Sequence, residues 1–263
     1  MAYVLGFIAT DGNIYKKPKT NSEVLSIAIQ KQDCWLLSRI TNVLKVDNPV
    51  KSLNNKYCHI SISLHGMLEA FSKWGITERK SLTLKFPKNL PKVMVSHFIR
   101  GVFDGDGTIT FKYDRKRQRF TQSVRIVTAS FEFAQDLYKI LLSKGIDTSL
   151  RVEDRTSSGR STLYAVCVLA TGYEAFYKFI YKKDTISLTR KKLLFKQMLK
   201  HRDKYTGGIF PGFRKAKIKK TLTKAYLIKQ YKVKHLSSPK IAKLTGVDKS
   251  TICKYLRKYN LYD

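Results

Sequence analysis

Two stretches decide the fold of this chain: Val4-Leu5-Gly6-Phe7-Ile8-Ala9-Thr10-Asp11-Gly12 and Ile99-Arg100-Gly101-Val102-Phe103-Asp104-Gly105-Asp106-Gly107. Each reads as an apolar helix that ends in Asp-Gly and runs into an extended segment. Ala2, Gly6 and Thr10 are spaced four apart and share one helical face, as do His97, Gly101 and Gly105. Glycine inside a helix costs about 1 kcal/mol relative to alanine, so a glycine stripe signals close approach of another backbone. The spacing predicts two helices packed on each other along Gly6/Thr10 and Gly101/Gly105. Val4, Leu5, Phe7, Ile8, Phe98, Val102 and Phe103 then anchor the cores on either side.

Parallel packing brings Asp11 and Asp106 together at two helix C-termini. Those ends are already partly negative, so adjacent carboxylates there are unfavourable unless a cation joins them. Mg²⁺ takes a few carboxylates and completes its shell with water and phosphate oxygen. A single Asp-Gly is an ordinary turn dipeptide; its return after a matched helix makes it a candidate site.

Outward from these helices the chain repeats an α+β order twice. The strand-like runs Val24–Gln30 and Ser123–Thr128 follow the Asp-Gly segments, and the helix-like runs Cys34–Val46 and Phe133–Ile146 come next. Tyr57–Leu64 and Leu163–Ala170 are strand-like again, and the alternation in His59-Ile60-Ser61-Ile62-Ser63-Leu64 marks a half-buried strand. A further helix and a basic string, ITERKSLTLKF or SLTRKKLLFKQ, close each half. The organisation predicted is a first repeat over 1–92, a second over 93–200, a basic linker over 201–221 and a helical tail over 222–263.

The chain has 263 residues, 43% of them hydrophobic, enough to bury a real core. Its 51 Lys+Arg against 19 Asp+Glu give a formal net charge of +32. A surplus of that size must face a polyanion or cost the fold self-repulsion, and nucleic acid is the partner it fits best. From Lys200 onward the bias is steepest, with 18 Lys and Arg against 3 Asp. No apolar run is long enough to span a membrane, and the start does not read as a signal peptide, so the chain is expected inside the cell. The four cysteines, Cys34, Cys58, Cys167 and Cys253, are scattered without a CxxC pair. Neither a disulfide framework nor a zinc site is expected, and a reducing compartment is favoured. There is no GxxxxGK[ST] loop and no HExxH helix.

The two Asp-Gly stretches, with the repeat order around them, resemble the motif copies of LAGLIDADG homing endonucleases over about residues 1–200. The resemblance implies two αββαββα halves related by a pseudo-twofold axis and forming one DNA-binding saddle. It implies a site-specific, metal-dependent double-strand DNA endonuclease that cuts across the minor groove and leaves four-nucleotide 3′ overhangs. By the same match Asp11 and Asp106 are the catalytic metal ligands, with the adjoining Gly12 and Gly107 beside the metal. Mg²⁺ is the implied cofactor, with Mn²⁺ able to substitute. Asp104 takes an earlier acidic place of the motif that Ala9 occupies in the first copy; that place is not the essential ligand.

The family keeps polar and basic groups around its metals. Gln30 and Thr128 end the matched strands and can orient water, or they are plain strand-end residues. Lys80 and Lys191, in the matched basic strings, can stabilise developing phosphate charge, or they contact phosphate or solvent. Twisted antiparallel ribbons fit the major groove. Candidate DNA contacts on the first half are Lys16, Lys17, Lys19, Asn21, Lys51, Asn54, Asn55 and Lys56. On the second they are Arg115, Lys116, Arg117, Gln118, Arg119, Gln122, Arg151, Arg155 and Arg160. The halves differ throughout, so the expected target is asymmetric and one chain suffices as a monomer, with double-stranded DNA as its partner and no protein partner implied.

The tail resembles a helix-turn-helix over Ser238–Leu256, with Ser238 as cap, Pro239 in the first turn and Gly246 at the turn. Lys249, Ser250, Thr251 and Lys254 then lie on the recognition helix. Two other readings stand beside the nuclease: a DNA-binding transcription regulator that does not cleave, and an RNA maturase that assists intron splicing.

Overall fold

The computed structural model describes residues 1–63, 65–115, 119–182, 186–206, 221–245, 247 and 249–261. The chain divides into two compact units, Met1–His201 and Arg202–Asp263.

In the first unit the order α1 (Ala2–Asp11), β1 (Gly12–Lys16), β2 (Glu23–Gln30), α2 (Trp35–Leu44), β3 (Lys51–Leu53), β4 (Tyr57–Ser63), α3 (Met67–Ser72) is followed by its counterpart. That counterpart is α4 (Val95–Asp106), β5 (Gly107–Asp114), β6 (Arg119–Thr128), α5 (Phe131–Ser143), β7 (Thr148–Glu153), β8 (Leu163–Val168), α6 (Tyr173–Tyr181), with a long helix α7 (Thr189–Thr206) after it. Each half builds a four-stranded antiparallel sheet, ordered β1-β2-β4-β3 and β5-β6-β8-β7. This is the α+β arrangement expected from the repeat.

The hairpins show why these residues make strands. Asn54 and Asn55 both hold positive φ, 51° and 53°, the turn between β3 and β4 that asparagine tolerates best after glycine. Along β4 the residues Cys58, Ile60 and Ile62 are buried and alternate with Tyr57, Ser61 and Ser63, which are exposed. In α5, Ser130 caps the helix by accepting from the Phe133 N–H.

Helix α1 is buried on every side from Tyr3 to Ala9, because it lies between the cores of the two halves. A β-carbon at Gly6 would run into the Phe98 carbonyl, and one at Gly101 into the Tyr3 carbonyl. Farther along, Gly105 stands against Thr10. Contacts advance in the same direction on both helices, so α1 and α4 are parallel and their C-termini share one end.

One expectation is overturned. Cys34 and Cys58 form a disulfide, with Cα atoms 5.5 Å apart. Scatter along the sequence concealed a neighbourhood created by the sheet: Gln30 pairs with Tyr57, and the turn Lys31–Asp33 carries the chain back over β4. Cys167 and Cys253 are unbridged.

The second unit has its own small core of Leu222, Leu227, Ile241, Ile252, Leu256 and Leu261. Its helices are α8 (Lys224–Leu227), which continues into a π-helical turn Ile228–Val233, α9 (Ser238–Thr245) and α10 (Lys249–Lys258). Helix α9 starts one residue earlier than the sequence suggests: the Ser237 carbonyl accepts from the Ile241 N–H, so Ser238 is helical and Pro239 sits one place deeper. Gly246 and Asp248 lie outside the described residues, as does most of the expected linker. Among the described residues no helix is long and apolar enough to cross a membrane.

Candidate active site

Asp11 and Asp106 are the last residues of α1 and α4, and each is followed by a glycine in extended conformation that opens the first strand of its half. The parallel packing sets the two carboxylates side by side; the Asp11 Oδ2 lies 3.4 Å from where a β-carbon on Gly105 would be. Burial and the neighbouring Asp106 charge push the Asp11 carboxyl up to about 6. Asp106 is more exposed, yet desolvation by its surroundings still raises it, against the pull of Lys191 and Lys80. Two carboxylates that resist ionising together, at two helix ends of like polarity, form a site short of positive charge.

Both matched lysines reach this site, and they reach it differently. The Lys191 ammonium, 8% exposed, donates to the carbonyls of Asp104 (2.6 Å), Gly107 (2.7 Å), Phe103 (2.9 Å) and Gly105 (2.9 Å). Three of these carbonyls lie in the last turn of α4, where the Phe103 oxygen also accepts from the Gly107 N–H, and the fourth opens β5, so Lys191 works as a helix cap. Lys80 donates to the Gly12 carbonyl, the counterpart of Gly107. Burial lowers the pKa of both, that of Lys191 to about 8, while the acids pull them back up. The Gly12 and Gly107 carbonyls, expected beside a metal, thus each accept from a lysine.

Gln30 lines a cavity of about 190 Å³ together with Asp11, Asp33, Tyr57, Asp104, Gly105 and Arg190. Thr128 is not brought there: its Oγ1 accepts from the Ser130 N–H at 3.2 Å. The register explains the difference. Gly12 pairs with Ile27 and Gly107 with Ile126, so Thr128 corresponds to the buried Ile29, and Ala129 to Gln30. Beyond these pairs β2 runs on to Gln30 and β6 stops at Thr128, one residue sooner, so a match on strand ends is out by one place, and a shift of one reverses the face.

The same parity sorts the candidate DNA contacts. Lys16, Lys17, Lys19, Asn21, Lys51, Asn54, Asn55 and Lys56 are exposed, most of them at hairpin tips. Arg115, Arg151 and Arg160 are exposed likewise, and Arg155 is half-buried. Gln122 pairs with Phe111 and shares the strand face of Val124 and Ile126, so it turns from the polar side. Thr121, Ser123 and Arg125 take that side instead, and Arg125 pairs with Glu153 at 3.0 Å. Lys116, Arg117 and Gln118 lie outside the described residues, as does the side chain of Arg119. On α10, Lys249, Ser250 and Lys254 are exposed and Thr251 is half-buried.

Sequence reasoning missed a buried network and an ion pair. Asp104, 1% exposed, accepts from the Tyr3 hydroxyl (2.8 Å), the Leu188 N–H (2.6 Å) and the Tyr181 hydroxyl (3.5 Å). It ties the start of α7, and so Lys191, to the end of α4. Arg190 donates through Nε to Asp33 Oδ2 at 2.6 Å. The only sequence signal for either was adjacency: Asp104 lies two residues before Asp106, and Arg190 precedes Lys191.

Among the described residues no cluster of three or more His, Cys, Asp or Glu side chains exists. A cation here would be held by two carboxylates and would have to draw its other ligands from water or substrate oxygen. That donor set fits a hard divalent ion such as Mg²⁺ or Mn²⁺ and does not fit zinc.

Residues 94–193 match the family model described as a LAGLIDADG-like domain. The fold is similar to that of the LAGLIDADG meganuclease I-AabMI bound to uncleaved DNA, with a TM-score of 0.55 and 12% identity over 78% of this chain and 91% of that one. It is similar also to I-DmoI in complex with DNA and Ca, with a TM-score of 0.53 and 16% identity over 74% of this chain and 96% of that one. A curated relative, the probable translation initiation factor IF-2 of Thermococcus kodakarensis, is 34% identical over 91 residues. That match takes in 32% of this chain, which spans about 7% of the relative's length.

Proposed function

We propose, from the premise that this chain carries a LAGLIDADG-like domain in the fold of single-chain LAGLIDADG homing endonucleases, that it is a divalent-metal-dependent, site-specific DNA endonuclease acting as a monomer. One observation carries the reading: Asp11 and Asp106 stand together at paired helix ends, each raised in pKa, with Lys80 and Lys191 on the adjoining glycine carbonyls. A Mg²⁺ ion bound there would supply Lewis acidity toward a phosphodiester and a lower pKa for water.

The chain's own residues do the rest. Asp11 and Asp106 would hold the cation and offset its charge. Lys191, with its protons committed to α4 carbonyls, holds the backbone turn that aims Asp106. Lys80, with one described carbonyl acceptor, is the ammonium best able to offer charge to the phosphate as negative charge builds on it. Gln30, at the rim of the cavity beside Asp11, orients water. Basic and amide groups at the hairpin tips engage phosphates and base edges of double-stranded DNA. The two sheets carry different residues, so the target is long and asymmetric. The net charge of +32 supplies the salt-dependent attraction, and α10 adds a second contact module.

The test is cleavage of a duplex recovered from a randomised pool by binding to the protein. Double-strand cutting that requires Mg²⁺ or Mn²⁺, and that is lost in Asp11→Asn and Asp106→Asn with binding retained, supports the reading. Tight binding without cutting in either metal sinks it and leaves a regulator. Selective binding of structured RNA over duplex DNA points to a maturase.

A further inference from the structure

Arg190 lies in the first turn of α7, in the half of the chain that contributes Asp106, yet its charge acts on the other acid. Its Nε donates to Asp33 at 2.6 Å, across 157 positions of sequence. Asp33 ends the short turn that follows β2, and its side chain is only 7% exposed, while that of Arg190 is 43% exposed. A buried carboxylate that grips one edge of a guanidinium fixes the plane of the whole fork. With Nε so held, the terminal N–H groups remain for a second acceptor. The cavity that Arg190 and Asp33 line also contains Asp11, Gln30 and Gly105, so that acceptor would stand beside the Asp11 carboxylate.

The arrangement has no partner across the pseudo-twofold. The residue matched to Arg190 is Arg79, which precedes Lys80; it is exposed and holds a positive φ of 50°. By the register that sets Ala129 against Gln30, the place of Asp33 falls on Glu132, an exposed acid that pairs with Lys85 at 3.1 Å instead, and Ser130 is committed to capping α5. Lys80 and Lys191 recur in both halves; the Arg190–Asp33 latch occurs in one.

We propose that Arg190, held by Asp33, is a phosphate-binding residue of the Asp11 side of the site alone, so that the two strands of a bound duplex are cut at unequal rates. This rests on the nuclease reading above. A phosphate on the Asp11 side meets a fixed bidentate donor, whereas among the described residues one on the Asp106 side meets lysine without a guanidinium held in this way. The pairing of a planar fork with a planar or tetrahedral oxyanion is what lysine does not reproduce, so Arg190→Lys restores charge without restoring geometry.

The experiment is strand-resolved cleavage of the pool-selected duplex, each strand carrying its own end label, under single-turnover conditions. Wild type, Arg190→Gln, Arg190→Lys and Asp33→Asn are compared, with thermal unfolding of each as a folding control. The expected result is unequal strand rates in the wild type. Arg190→Gln slows the faster strand by about tenfold or more and the slower strand less than about threefold, through the loss of a charged hydrogen-bond donor. Asp33→Asn shifts the strand ratio in the same direction by a smaller factor, and Arg190→Lys recovers only part of it. Should Arg190→Gln fail to fold, Arg190→Lys and Asp33→Asn decide the matter by the same ratio. Equal slowing of both strands, or an unchanged ratio in all variants, overturns the latch while leaving the nuclease intact. Absence of cutting by the wild type overturns the nuclease reading, and the latch with it.

Discussion

The two halves of the first unit share one order of elements, one sheet topology and one acid–lysine pair, and they differ in how each is held together. In the second half α7 closes the core: Phe195 and Met198 are fully buried, and the Phe195 ring meets Phe103, Phe176, Tyr173 and Tyr177. The first half has no helix in the corresponding place after Lys80. It leaves an apolar cavity of about 570 Å³ lined by residues such as Leu5, Leu25, Ala70, Phe71, Trp74 and Met94. It carries instead the Cys34–Cys58 bridge, where the second half has Tyr164 in the place of Cys58. The same division runs through the site: Lys191 holds four carbonyls and Lys80 one. The lesson is that a duplicated fold keeps the geometry at its axis, where both halves meet, and lets the supports diverge away from it.

The comparison can be broken at the axis first. Asp11→Asn and Asp106→Asn are expected to reduce cleavage by on the order of 10³-fold each, because both acids serve one shared cation site. Single-turnover rates check this, and a large loss in only one variant would mean that the halves act independently. The lysines come next. Lys191→Met should destabilise the protein by about 2–4 kcal/mol, since it uncovers several buried carbonyls, while Lys80→Met costs about 1 kcal/mol or less. Urea unfolding of the two variants measures the difference; equal losses would contradict the unequal roles given to them.

The disulfide sharpens the comparison on the other side. Its loop spans 24 residues, so Cys34→Ser with Cys58→Ser is expected to cost about 3 kcal/mol, a loss for which the second half has no counterpart. Unfolding midpoints with and without a reducing agent read it out.

A smaller effect comes from pH in the absence of metal. The folded pKa of Asp11 is raised from 3.8 to about 6, so the protonated form is favoured in the native state. The stability this contributes is full below about pH 4 and is lost as pH rises through 6. In EDTA, Asp11→Asn should therefore be more stable than the wild type at pH 7, by on the order of 2 kcal/mol, and equal to it near pH 3.5. The smallest change is expected from Ala70→Leu, which extends into the cavity of the first half and should add about 0.5–1 kcal/mol to unfolding stability.

Much of this was legible in the residues. The glycine stripes of α1 and α4 can be read because close packing leaves small residues at a fixed spacing, and the strand β4 because burial alternates. The lysine pair was visible through the matched basic strings. Thr128 and Gln122 share the strand face of Val124 and Ile126, which the sequence did not reveal because strand faces depend on register and the second strands of the two halves end at different places in it. The Cys34–Cys58 bridge and the Asp33–Arg190 pair were hidden for a different reason: each joins residues that become neighbours only when the sheet or the helix pair has formed. Local pattern carries no trace of either.

The most direct test of the central claim, that Asp11 and Asp106 hold one cation site between them, is a Mn²⁺ titration followed by electron paramagnetic resonance on the wild type and on each single Asn variant. The account predicts tight Mn²⁺ binding in the wild type and its loss in both Asp11→Asn and Asp106→Asn. Retention of a site of unchanged affinity in either variant would contradict it.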